Sequence, residues 1–235
     1  MGAKGIAYGL GVGPGDPEML TLKAVRLIKE NEVFAVPGKD PKEAVSYKIA
    51  LQAVPELAEK TVFPIDMPMV KDREAIRKQH QEGAKAIEKY LDEGKNVVYL
   101  TLGDSTIYCT YTYLHAILLE DGYESYLVNG IPSFIAASAR LNIPLVEWNE
   151  LLHVVPAVHK TDTEEASEIL NAPGSYVLMK SASDMAKVKE LLKKSGKDVL
   201  CVENCGMETE HVYRGVDEIP DKAGYFSLII AKDSV

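Results

Sequence analysis

Four glycines at alternate positions, Gly9, Gly11, Gly13 and Gly15, close an apolar strand running from Ile6 to Val12 and lead into a helix at about Asp16, with Asp16 or Thr21 as its cap. Such a run lets a main chain pass close to something with no side chain in the way. The first candidate is a dinucleotide fingerprint, which needs G-x-G-x-x-G. With Pro at 14 and Asp at 16, no register of the four glycines fits it. Nor does an acid for a ribose end the next strand, because Glu32–Val36 runs into Pro37-Gly38. A phosphate loop ending in Gly-Lys-Ser/Thr is also absent. The plain alternative is a tight strand-to-helix turn that holds no ligand.

Downstream, hydrophobic spacing alternates between period 2 and period 3.6. Short apolar segments at Glu32–Val36, Thr61–Ile65, Val97–Leu102 and Ser125–Val128 read as strands. Segments at 41–54, 73–93, 107–119 and 133–141 read as helices, and a loop with Pro68 covers 67–70. Alternating β and α calls for a mostly parallel sheet with right-handed crossovers. After Pro144 the pattern changes. The last two strands, His211–Gly215 and Tyr225–Ala231, have no helix between them, which predicts a mixed sheet with an antiparallel edge. The expectation is an α/β protein of two domains with a cleft between them, residues 1–145 and 146–235.

A net charge of −9, with 35 acidic against 26 basic residues, argues against a nucleic-acid partner. No apolar run approaches a membrane span, and Met1-Gly-Ala-Lys has no signal pattern. Three cysteines make no disulfide framework, and Cys201 and Cys205, four apart, are not a CxxC pair. No metal site is expected, and the location implied is the cytoplasm.

Ligands in open α/β sheets collect beyond the carboxyl ends of the strands. Four such ends are unusual: Gly13-Pro-Gly-Asp-Pro, Gly103-Asp-Ser-Thr-Ile-Tyr, Asn129-Gly-Ile-Pro-Ser-Phe and Met179-Lys-Ser, with Glu203-Asn-Cys-Gly-Met similar in kind. Small residues, hydroxyls and exposed amides suit a neutral or zwitterionic ligand held through the backbone. Asp104 is the one carboxylate directly after a glycine at such an end, as a catalytic group or as a cap on the helix at Ile107.

These segments resemble the tetrapyrrole methylases. Gly11-Val-Gly-Pro-Gly-Asp-Pro-Glu-Met-Leu-Thr-Leu-Lys-Ala is similar to their N-terminal signature. Gly103-Asp104-x-x-Ile107-Tyr108 resembles their second, usually Gly-Asp-Pro, and residues 130–144 their third region. Phe226–Ala231 is similar to a typical last strand. Within the family, Glu203–Tyr213 and the Thr110-Tyr-Thr-Tyr-Leu helix look most like the C-20 methyltransferases of precorrin-2 or cobalt-precorrin-2.

The resemblance implies an S-adenosylmethionine-dependent C-methyltransferase of cobalamin (vitamin B12) biosynthesis, with S-adenosylhomocysteine as product, a tetrapyrrole substrate and a homodimer. It implies that the cofactor touches Pro14, Leu102, Gly103, Asp104, Ile107, Pro132, Ser133, Lys180, Cys205 and Gly206. It also places the Gly-Pro-Gly-Asp loop toward the tetrapyrrole. Two positions depart from the pattern: Ser105 stands where Pro is usual, and Pro132 where a hydroxyl is common. Asp104 is the candidate for orienting substrate or taking its proton. Lys71, Arg73, Arg77, Lys78 and Lys160 are candidate donors to the substrate's carboxylates. Alternatives are a uroporphyrinogen-III methyltransferase, a diphthine synthase, an rRNA methyltransferase or a non-catalytic nucleotide-binding module.

Overall fold

In the computed structural model, which describes residues 3–67 and 72–233, the first five strands form one all-parallel sheet in the order β3-β2-β4-β1-β5. They are β1 Ile6–Gly11, β2 Val33–Pro37, β3 Thr61–Ile65, β4 Val97–Thr101 and β5 Glu124–Val128. Between them run α1 Leu22–Glu30, α2 Val45–Ala53, α3 Arg73–Asp92 and α4 Tyr111–Glu120. Side chains of a strand alternate between its two faces, and β4 shows this directly. Val98 and Leu100 pack with residues of α1 and α2, whereas Val97 and Tyr99 pack with residues of α3 and α4. With both faces covered, every residue of β4 is buried, which explains its unbroken apolar run.

The remaining strands form the mixed sheet β6-β7-β10-β8-β9. They are β6 Leu152–Pro156, β7 Ser175–Met179, β8 Asp198–Glu203, β9 His211–Arg214 and β10 Ser227–Lys232. β6 and β7 are parallel, and β10 and β9 run antiparallel to their neighbours. Helices α6 Thr163–Asn171 and α7 Met185–Ser195 supply one core. Helix α5 Ser133–Leu141 packs on β8 and β10. The chain divides into compact units 1–132 and 133–235. α5 thus belongs with the mixed sheet, although it follows the fifth parallel strand in sequence.

Three helix starts differ from the pattern read from sequence. Of the two expected caps, Asp16 caps only a 3-10 turn, Pro17–Met19, and Thr21 caps α1, which begins later, its hydroxyl accepting from the Ala24 N–H at 3.1 Å. Pro41–Glu43 is likewise a 3-10 turn ahead of α2. Helix α4 starts at Tyr111 rather than Ile107, so Asp104 caps no helix. Residues 68–71, which hold most of the expected Pro-containing loop and the candidate Lys71, lie outside the described residues.

Candidate active site

The alternate glycines serve the protein's own chain before they serve any ligand. A Cβ on Gly9 would run into the ring of Tyr111, a side chain buried at the root of α4. A Cβ on Gly11 would stand 2.5 Å from the Gly103 carbonyl oxygen and 2.7 Å from the Gly130 nitrogen. Gly13 has φ 79°, in the left-handed region. It pairs with Gly103 through two backbone bonds, Gly103 N–H to Gly13 O at 2.8 Å and Gly13 N–H to Gly103 O at 3.1 Å.

Strand order explains the crowding. β1 lies between β4 and β5. The loop leaving β4 passes over the end of β1 and fastens itself to the end of β5. Only glycine at 11 and 130 leaves room for that passage. Three bonds make the attachment. The Ser105 hydroxyl donates to Val128 O at 2.9 Å, and Asn129 Nδ2 and the Gly130 N–H donate to Asp104 Oδ2 at 3.2 and 2.9 Å. Thr106 donates both its N–H, at 2.7 Å, and its hydroxyl to Asp104 Oδ1.

The Asp104 residue is only 4% exposed. Burial pushes its carboxyl up, but the bonds from Thr106, Asn129 and Gly130 outweigh that and hold it below the usual carboxylate range. Asp104 is therefore an ionised acceptor with both oxygens occupied. That chemistry suits holding two loops together and suits proton abstraction poorly.

Other expected residues of the first unit surround this crossing. Pro14 is buried beside Gly13, Leu102 is half-buried before Gly103, and Ile107 and Tyr108 are exposed. Pro132 is half-buried. In the second unit Ser133 opens α5. Three strands there end in left-handed residues that are not glycine: Ala157 after β6, Lys180 after β7 and Asn204 after β8, with φ 50°, 55° and 53°. Such backbone costs on the order of 1–3 kcal/mol per residue and concentrates at functional sites. β7 and β8 run in the same direction with β10 between them, so Lys180 and the Cys205–Gly206 turn lie on one edge of that sheet.

Glu210 braces the turn. Its Oε2 accepts the Gly206 N–H at 2.9 Å, and its Oε1 pairs with Arg140 of α5. Burial pushes the Cys205 thiol up to about 11. Among the described candidate cations, Arg73, Arg77 and Lys78 occupy the first turns of α3, and Lys78 lies 3.9 Å from Glu82.

The sequence points to the Gly103-Asp104 pair but not to Ser105, Thr106, Asn129 and Gly130 as the residues that fix it. The signal available was the hydroxyl pair after Gly-Asp. The Thr106 bonds to Asp104 are local, but those made by Ser105, Asn129 and Gly130 span more than twenty residues, so spacing could not reveal them.

The loops offer backbone groups at strand ends, a left-handed glycine and an apolar rim at Leu102 and Ile107. They carry no Gly-Lys-Ser/Thr cradle for a pyrophosphate. The donor set fits an adenosyl amino acid, with an uncharged base, hydroxyls and a zwitterionic tail. Among the described residues no group of three His, Cys, Asp or Glu side chains could hold a metal ion, and no helix is long and apolar enough to cross a membrane.

The sequence profile of the Tetrapyrrole (Corrin/Porphyrin) Methylases matches residues 7–218. A protein of Methanocaldococcus jannaschii named "Probable cobalt-precorrin-2 C(20)-methyltransferase" is 33% identical over 229 residues, 96% of this chain and 95% of that one. The fold is similar to a solved cobalt precorrin-4 methyltransferase, with TM-score 0.77 and 19% identity over 97% of this chain and 94% of the other. It is also similar to a uroporphyrin-III C-methyltransferase of Thermus thermophilus complexed with S-adenosylhomocysteine, with TM-score 0.67 and 24% identity over 97% of both chains. A profile match over nearly the whole chain, together with the glycine crossing that its first signature encodes, makes this protein a member of the tetrapyrrole methylases.

Proposed function

We infer that the protein is an S-adenosylmethionine-dependent methyltransferase of cobalamin biosynthesis that methylates carbon 20 of precorrin-2 or cobalt-precorrin-2. One observation carries the assignment within the family: the 33% identity to a C(20)-methyltransferase along nearly the full length of both chains. Bound at the strand ends, S-adenosylmethionine supplies an electrophilic methyl group. In the reaction a bond forms between that methyl carbon and the ring carbon, the sulfur–methyl bond breaks, and the ring carbon gives up its proton.

The chain's own residues contribute alignment and exclusion of water, the main requirements of an in-line displacement. The backbone at Leu102-Gly103 and Pro132-Ser133 is proposed to hold the cofactor, with Pro14 and Ile107 as apolar contacts. Lys180, Cys205 and Gly206 join this set on the strength of the resemblance and of the left-handed backbone at 180 and 206. Asp104 orders the loops from beneath. Arg73, Arg77, Lys78 and Lys160 are proposed donors to the substrate's carboxylates.

We also infer a cytoplasmic homodimer. In support, Trp148 is wholly exposed, with the exposed Val146 and Leu151 near it in sequence. On α4, Tyr111 and Leu114 are buried in the core of the first unit, whereas Tyr113 is exposed.

Mass spectrometry of metal-free and cobalt-loaded dihydrosirohydrochlorin, incubated with enzyme and isotopically labelled methyl donor, tests the assignment. One added methyl at carbon 20 is expected. Methylation at another carbon would move the enzyme elsewhere in the family. Sedimentation at micromolar concentration tests the dimer, and a single species of monomer mass would refute it.

A further inference from the structure

We propose that Ser105 and Asn129 are positioning residues for the methyl donor, two links of a clamp that ties the β4 loop to the end of β5 and holds it rigid across the end of β1. The proposal rests on the functional reading above, since it assumes that this loop carries the cofactor.

Ser105 is completely buried, yet its hydroxyl does not serve its own turn. It reaches the carbonyl of Val128, 23 residues away, at 2.9 Å. A proline at this position, the usual residue of the motif, has no hydroxyl and cannot make the bond. Asn129, the residue after Val128, reaches back to the same loop, its amide 3.2 Å from Asp104 Oδ2. Asn129 is exposed, so it contributes little to the core and its bond can be removed separately. These two attachments fall on the consecutive residues Asp104 and Ser105, directly after Gly103, which is held left-handed at φ 72° and paired with Gly13. The segment proposed to meet the cofactor is thus tied at Asp104 and Ser105 to the end of β5 and, at Gly103 through Gly13, to the end of β1. A loop already held in its bound conformation loses less entropy on binding. Its rigidity should therefore appear in cofactor affinity and not in the chemical step.

Ser105→Ala and Asn129→Ala test this. Each is measured for S-adenosylhomocysteine affinity by calorimetry, for kcat and KM, for melting temperature, and for amide exchange at residues 128–130. The expected result is a Kd and a KM for the methyl donor raised about threefold to tenfold, the size that one buried hydrogen bond confers. Saturated kcat should stay near wild type, and amides at 128–130 should exchange faster. An unchanged Kd in Ser105→Ala overturns the clamp while leaving the functional reading intact. So does a variant whose melting temperature falls while Kd and KM hold. If the wild-type protein itself fails to bind S-adenosylhomocysteine, the methyl-donor reading falls and the clamp's role falls with it.

Discussion

The Gly130 N–H donates to Oδ2 of Asp104 at 2.9 Å, joining the end of the fifth parallel strand to the loop that follows the fourth. Because Oδ1 is occupied as well, by Thr106, an asparagine at 104 cannot reproduce the arrangement. Its amide nitrogen would face a donor on one side or the other. Asp104→Asn should therefore lower stability by about 1–3 kcal/mol, the cost of leaving buried partners unsatisfied. Chemical denaturation measures it, and a variant as stable as wild type would refute the bonding scheme. The carboxyl is held below its ordinary range, so its contribution is present at neutral pH and is lost as pH falls through the folded value. The stability gap between wild type and variant should close in acid.

A methyl group at residue 11 has nowhere to go. Gly11→Ala would place a carbon 2.5 Å from the Gly103 oxygen, and both neighbours are backbone. The β4 loop must shift or the strands must separate. A loss of about 1–3 kcal/mol, typical of overpacking, should accompany weakened S-adenosylhomocysteine binding. Calorimetry on the folded variant checks the second effect. Full affinity would show that the loop crossing does not shape the site.

Glu88 on α3 is raised above its ordinary value, first by burial and then by the Asp121 carboxylate hydrogen-bonded beside it, with Asp92 adding to the effect. Its Oε1 is buried without a hydrogen-bond partner. An acid that binds its proton more tightly when folded penalises the native state above the raised value, and the penalty disappears below the unfolded value of 4.5. Glu88→Gln should raise the melting temperature at about pH 8 and leave it unchanged near pH 4. Thermal melts across that range decide it, and equal melting at both ends would contradict the shift.

All three thiols are buried. Burial raises Cys109 and pushes Cys201 and Cys205 up to about 12 and 11. Thiolate is the reactive form. At about pH 8 a disulfide reagent should label none of them in the native protein and all three after unfolding. Rapid native labelling would place a thiol in a more open setting than the buried one described.

Local sequence determined a good deal of this protein. Alternation of β and α segments through residue 141 made the first sheet parallel, and two strands with no helix between them made the second mixed. The Gly-rich and Gly-Asp strand ends marked the candidate site, because turns at the ends of parallel strands leave a legible composition. Tertiary structure decided what those residues do. Nothing in the spacing of Gly9, Gly11 and Gly13 says that one faces Tyr111, one faces Gly103 and Gly130, and one turns left-handed. Those roles depend on β1 lying between β4 and β5, a placement set by the whole sheet. Asp104 read either as a catalytic group or as a helix cap, the second because α4 was expected four residues too early. Its true partners, Asn129 and Gly130, lie across the sheet. The physical reason is common to both cases. Strand and helix periodicity is a local property, whereas hydrogen bonds between loops are fixed only once strand order brings distant residues together.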